Sequence, residues 1–313
     1  MPEKDVQITA KGHVLAGSLV LPGAETSAVC LMMHGSGPLD RNENMPGQTL
    51  DIFNTIARTL VGYGIGSLRY DKRGCGESTG NYIESGHSDL VEDAAACIDY
   101  LVTEQNVALN KIVLLGHSEG TIISAQLGSR YPGLGGLILL CPFIQNLEDV
   151  LIVQAEHLAQ AADLATGVKG MFMRTLYKLI GGPVRYQKRA VRRVKQSDKR
   201  SMRIGLQKLP AQSLRELIAL DSESIYRRVK IPALIVAAGK DLQCDPADAI
   251  KIDGCIGAPV RTFIIEDLTH ILRKDPETHT LFTYDRIMGQ PVDAEVLQIL
   301  VDHFPTTFTN LTS

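Results

Sequence analysis

The chain has 313 residues, of which 44% are hydrophobic and 21% charged, with a formal net charge of −3 and no tryptophan. This balance excludes a disordered chain, and the length suits one large α/β domain with an insertion or two ordinary domains. No apolar run approaches the ~20 residues of a membrane-spanning helix. The N-terminal MPEKDVQITAKGH has no apolar stretch behind its charges, so no secretory signal and a cytoplasmic location are expected. Six scattered cysteines (Cys30, Cys75, Cys97, Cys141, Cys244 and Cys255) form no CxxC pair and read as reduced thiols, with no metal site expected from them.

The opening pattern predicts a hairpin, with strands over 6–10 and 14–21 and a turn at Lys11-Gly12. From there apolar runs of strand length alternate with amphipathic patterns. Residues 28–33 predict a strand and 50–61 a helix, with Ile52, Ile56 and Leu60 on one face. A strand over 65–70 precedes a helix whose Leu90, Ala94, Cys97, Ile98 and Leu101 recur at helical spacing. Strands over 111–115 and 134–141 flank a helix over 119–130. Runs this apolar, without alternation, suit parallel strands covered on both faces, and the strand–helix–strand rhythm requires crossovers. The fold class expected is α/β: a mostly parallel doubly wound sheet with an N-terminal antiparallel hairpin.

The rhythm breaks after residue 144. Residues 145–228 hold helical patterns at 147–164, 170–180, 183–194 and 213–220 and no convincing strand. Strands resume at 231–238 and 260–266, with helices over 246–253 and 292–304. A core of residues 1–144 and 229–313 with a helical cap (lid) at 145–228 is therefore expected. Charge marks the same boundary, since residues 145–229 carry +8 and the remainder −11. The basic stretch from Arg174 to Arg203 offers few interleaved aromatics in an acidic chain, so no nucleic-acid partner is expected. Peripheral contact of this basic cap with an anionic membrane is an open alternative to a solvated face.

Gly116-His117-Ser118-Glu119-Gly120 fits G-x-S-x-G, and its setting gives the match weight: it follows an apolar strand and opens a helix. A turn this sharp forces strained dihedrals on Ser118 and excludes bulk at its neighbours. Serine is a poor nucleophile without a base, and a base needs an orienting acid. Both should follow later strands, which selects His270 as base and Asp241 as acid, with Asp245 and Asp267 as competing acids and His279 and His303 as competing bases. A tetrahedral intermediate also needs two preorganised N–H donors. Glu119, directly after the nucleophile, supplies one, and the His34-Gly-Ser-Gly-Pro38 loop supplies the other from Ser36. His34 itself reads as structural. The order Ser, Asp, His is that of α/β-hydrolases.

Three stretches carry a family resemblance: His34-Gly-Ser-Gly-Pro-Leu-Asp-Arg-Asn42, Leu68-Arg-Tyr-Asp-Lys-Arg-Gly-Cys-Gly-Glu-Ser78, and Gly116 to Gly120. Together they resemble bacterial α/β-hydrolase serine esterases related to the acylaminoacyl-peptidase and serine-aminopeptidase branches. The resemblance spans roughly 1–143 and 229–304 and leaves the insertion unmatched. It implies a cofactor-free hydrolase acting on small-molecule esters, mostly of short acyl chains, with Ser118, Asp241 and His270 as the triad and Ser36 and Glu119 as oxyanion donors. It also implies that Arg41 and Arg73 tie loops through ion pairs; direct contact with a substrate carboxylate is the alternative. Thioester or amide hydrolysis, the former drawing an anionic carrier through Arg185, Lys188, Arg189, Arg192 and Arg193, is the runner-up. A non-catalytic binding protein on the same fold is the reading of another class. Oligomeric state is not legible.

Overall fold

A computed structural model describes residues 3–23, 28–277 and 279–308. Strands β1 (Lys4–Ala10) and β2 (His13–Val20) form the expected hairpin, turning at Lys11-Gly12, where both residues have positive φ. After them the order is β3 (Ala28–Met33), α1 (Ile52–Val61), β4 (Ile65–Tyr70), α2 (His87–Thr103), β5 (Ile112–His117), α3 (Glu119–Arg130) and β6 (Gly136–Leu140). An insert follows, comprising α4 (Leu147–Leu164), α5 (Gly167–Ile180), α6 (Pro183–Lys195), β7 (Met202–Ile204), β8 (Gln207–Leu209), α7 (Ala211–Ala219) and α8 (Ser222–Arg228). The chain then returns through β9 (Ala233–Ala238), α9 (Asp248–Asp253), β10 (Val260–Ile265), α10 (Tyr284–Ile287) and α11 (Ala294–Thr307).

Eight strands form one sheet in the order β1-β2-β4-β3-β5-β6-β9-β10. Only the β1–β2 and β2–β4 pairings are antiparallel. Every residue of β3, β5, β6 and β9 is buried, as strands covered on both faces require. Alternate residues serve two cores. Val29, Leu31 and Met33 of β3 pack with α2 and α3, whereas Ala28, Cys30 and Met32 pack with α1 and α11. Cys30 and Cys141 are buried as their positions predict.

The insert departs from the all-helical expectation in one respect. β7 and β8 pair antiparallel around Gly205 at φ 59°, and Ile204 packs with Ala190 and Val194 of α6. Strands of three residues are too short to show an alternation, and burial against α6 is what selects them. α8, also unforeseen, begins at Asp221, whose carboxylate accepts the Ser224 amide at 2.9 Å. Among the described residues no helix is long and apolar enough to cross a membrane.

Candidate active site

The turn between β5 and α3 holds Ser118 at φ 54°, ψ −119°, a conformation that costs a non-glycine residue on the order of 1–3 kcal/mol. The flanking glycines make it possible. A Cβ on Gly116 would lie 2.2 Å from the Gly120 carbonyl oxygen, and one on Gly120 would lie 2.1 Å from that of Met33. Nucleophile strand, helix and β3 thus meet where only hydrogen fits.

Asp241 follows β9. Its Oδ1 accepts the Gln243 and Cys244 amides at 2.7 and 2.9 Å, which fixes the carboxylate and leaves Oδ2 facing His270 Nδ1 at 2.7 Å. Both side chains are buried. Facing a carboxylate, Nδ1 carries the ring proton and Nε2 is left as acceptor. Ser118 and His270 line one cavity, but among the described residues no hydrogen bond joins the Ser118 hydroxyl to His270. Cys244 lines the same cavity as Ser118 and His270. Catalytic hydrogen bonds in unliganded sites are often open and tighten with substrate.

The competing groups lie elsewhere. Asp245 accepts the Ala247 amide, Asp267 pairs with Lys240 at 2.8 Å, His279 faces Asp275 at 3.0 Å, and His303 lies beside Arg261. His34 is buried against Phe53 and Tyr70. Among the described residues neither of its ring nitrogens has a partner, and burial pushes its pKa down to about 4. Arg41 grips Asp71 through Nε and Nη2 at 3.1 and 2.7 Å, and Arg73 grips Asp93 at 2.6 and 2.5 Å. Both act as loop ties.

Ser36 and Glu119 come together as well, since Ser36 Oγ donates to Glu119 Oε2 at 2.8 Å. The amides flanking Ser36 are taken: Gly35 N–H by Glu43 at 2.7 Å and Gly37 N–H by the Tyr82 hydroxyl at 3.0 Å. Burial pushes the Glu119 carboxyl up, but Lys72, His87 and Ser36 outweigh it and hold it at about 2. Lys72 Nζ donates to the Gly35 and Gly37 carbonyls from below the same loop. Sequence reasoning missed Glu43, Lys72, His87 and the His117 side chain. Nothing in local spacing marks them, because their partners lie tens of residues away.

Among the described residues, two groups could bring three ligand atoms within 4.8 Å of one another, His117–Cys141–His270 and Asp241–Cys244–His270. Their capacity is largely spent. The His117 nitrogens face Glu43 and a carbonyl, Asp241 and His270 hold each other, and burial pushes both thiols well up.

The cavity has a volume of about 410 Å³. Leu147, Val150, Leu214 and Leu217 of the insert form part of its wall, with Phe143 and Ile271 from the core. Among the described residues, its charged lining groups are the acids Glu43, Glu119 and Asp285, apart from the two histidines, and no lysine or arginine lines it.

A sequence profile of the family described as serine aminopeptidase, S33, matches residues 25–277. The chain belongs to the serine aminopeptidase S33 family. Its match extends through the insert, which sequence reasoning had left unplaced. A relative of this S33 chain, esterase EstD of Thermotoga maritima, is 28% identical over 273 residues, covering 86% of the chain and 60% of the relative. The chain therefore spans less than two thirds of that relative's length. Two solved structures share its α/β-hydrolase fold. Est1E of Butyrivibrio proteoclasticus, bound to ferulic acid, has a TM-score of 0.63 at 16% identity and covers 97% of this chain and 99% of its own. The α/β hydrolase GrgF of Penicillium sp. sh18 has a TM-score of 0.65 at 16% identity, covering 99% and 100%.

Proposed function

We propose that the chain hydrolyses carboxylic esters through an acyl-enzyme on Ser118. The observation that carries this reading is the 2.7 Å contact between His270 Nδ1 and Asp241 at the wall of the cavity that also holds the strained Ser118. Ser118 Oγ attacks the carbonyl carbon while His270 Nε2 takes its proton and Asp241 stabilises the imidazolium. The Ser36 and Glu119 amides accept the charge that develops on the carbonyl oxygen. In support, neither has an intramolecular acceptor among the described hydrogen bonds, while both neighbours of Ser36 are engaged. Collapse expels the alcohol with the proton from His270, and water, deprotonated by the same ring, releases the acid. The esterase name of the Thermotoga maritima relative and the ferulic acid in Est1E favour ester chemistry.

The insert at 145–228 acts in this reading as a cap, because its α4 and α7 side chains close the acyl cavity. The cavity argues for more than the short acyl chains expected from the resemblance. At about 30 Å³ for each group of water size, it has room for on the order of ten heavy atoms. We therefore assign it to medium-chain or aromatic acyl groups. The exposed Arg185, Lys188, Arg189, Arg192 and Arg193 of α6 contribute nothing to its lining, which favours a neutral ester over an anionic thioester.

A panel of p-nitrophenyl esters of increasing chain length, with a thioester and an anilide arm, tests these points. kcat/KM should climb beyond acetate and exceed that of thioester and anilide. Ser118→Ala should abolish both hydrolysis and fluorophosphonate labelling; undiminished labelling in that variant refutes the assignment.

A further inference from the structure

The loop after β3 contains a residue that the chemistry above leaves unused and that the fold holds under strain. Glu43 is a non-glycine residue at φ 65°, almost fully buried. A tight turn holds it there. The Asp40 carboxylate accepts the Asn42 and Asn44 amides at 2.8 and 2.9 Å, and the Asp40 carbonyl accepts the Glu43 amide at 3.0 Å. Strain of this kind persists only where surroundings impose it and concentrates at working sites.

The contacts of Glu43 link the Ser36 loop to the strand end that carries Ser118. Oε1 accepts the Gly35 amide at 2.7 Å, next to Ser36. Oε2 faces His117 Nδ1 at 2.8 Å, and His117 immediately precedes Ser118. His117 Nε2 in turn faces the backbone carbonyl of His270 at 2.9 Å. A carbonyl can only accept, so Nε2 carries a proton, and Nδ1 beside the carboxylate carries another. The two buried rings, His117 and His270, have centroids 5.0 Å apart.

We infer that Glu43 and His117 form a positioning pair, an ion pair that fixes the Ser36 loop, the turn at Ser118 and the main chain of His270 relative to one another and keeps a positive ring beside the base. Burial alone would strip the His117 proton, but the attraction and hydrogen bond of Glu43 outweigh it and raise its pKa. Burial likewise pushes Glu43 up, and His117 with the Gly35 amide brings it below its usual range. Among the described residues, the other titratable and charged groups facing the pair are His34, Lys72, Asp241, His270, Arg273 and the Cys141 thiol, whose sulfur lies 3.7 Å from the His270 carbonyl. The pair closes three loops from distant parts of the chain with two side chains, so loss of either should loosen the same geometry.

This inference rests on the ester hydrolysis proposed above, and its test separates the two. Glu43→Gln, His117→Gln and the double variant are assayed with a medium-chain p-nitrophenyl ester across pH, alongside Ser118→Ala. Glu43→Gln keeps the size but cannot accept from both donors with charge. We expect kcat to fall about 10- to 100-fold, the cost of a misplacement approaching 1 Å, with KM within about threefold. The acid limb of kcat/KM should shift, because the charges that the pair presents to the base change. A residue with a merely structural role would leave that limb in place. The double variant should be no slower than the slower single, as groups acting as one unit are not additive. Wild-type kcat and pH profile in Glu43→Gln, with Ser118→Ala inactive, overturn the pair alone, as do additive losses in the double variant. If Glu43→Gln fails to fold, the pH profile of His117→Gln decides on the same terms. Hydrolysis surviving in Ser118→Ala overturns the function instead.

Discussion

Gly120→Ala is the substitution whose consequence the structure dictates most directly. The added methyl would lie 2.1 Å from the Met33 carbonyl oxygen, 2.7 Å from its carbon and 2.9 Å from the His34 carbonyl oxygen. Ordinary contact begins near 3.4 Å, so α3 must retreat from β3 by about 1.3 Å or tilt by as much. All three obstructing atoms are backbone, at the last residue of β3 and the residue after it, so no rotamer change relieves the clash. Overpacking a core costs roughly 1–3 kcal/mol when side chains can yield, and this site belongs at the top of that range or above. The displacement also carries the Ser118–Glu119 turn away from Ser36, and a 1 Å misplacement costs about 100-fold in rate. Gly128→Ala in the same helix is the control. The nearest atoms to its methyl would be in the Leu137 and Ile231 side chains at 3.1–3.3 Å, which can yield, and alanine gains up to about 1 kcal/mol in helix propensity. Urea denaturation and kcat on one ester, measured for both variants, should show Gly120→Ala destabilised by about 3 kcal/mol and at least 100-fold slower, and Gly128→Ala close to wild type. A Gly120→Ala protein with wild-type midpoint and rate would refute the packing argument and the account of the turn.

Two further outcomes are expected. Asp241→Asn keeps the side-chain shape but offers His270 Nδ1 an amide, so kcat should fall about 10³- to 10⁴-fold with folding retained; a loss under tenfold would remove Asp241 from the triad. Stability should decline with acid in two stages. His34, with its pKa near 4 in the fold against 6.5 in the unfolded chain, leaves the unfolded state binding more protons as pH falls from 6.5 to 4; this difference is fully expressed near 4 and amounts to about 3 kcal/mol. Glu119, held at about 2 against 4.5, adds its loss as pH falls from 4.5 toward 2. Urea midpoints followed by circular dichroism would record both stages, and His34→Phe should flatten the first; an unchanged slope in that variant would exclude His34 as its source.

Much of this molecule was legible in one dimension. The doubly wound sheet and the helical insert follow from short unbroken apolar runs alternating with patterns of period 3.6, and the hairpin from two strand-length runs about a Lys-Gly turn, signals that each segment expresses alone. Ser118 was legible because its turn needs two glycines at set spacing, and Asp241 and His270 because the ends of parallel strands converge on one edge. The cavity was not, because residues from distant segments of core and insert line it together. The β7–β8 hairpin escaped notice because burial against α6, and no repeat of its own, selects it. Glu43, Lys72 and the His117 ring were equally silent. A buried charge acquires meaning from partners 37, 74 or 153 residues away, and only the folded chain sets such groups within 3 Å of one another.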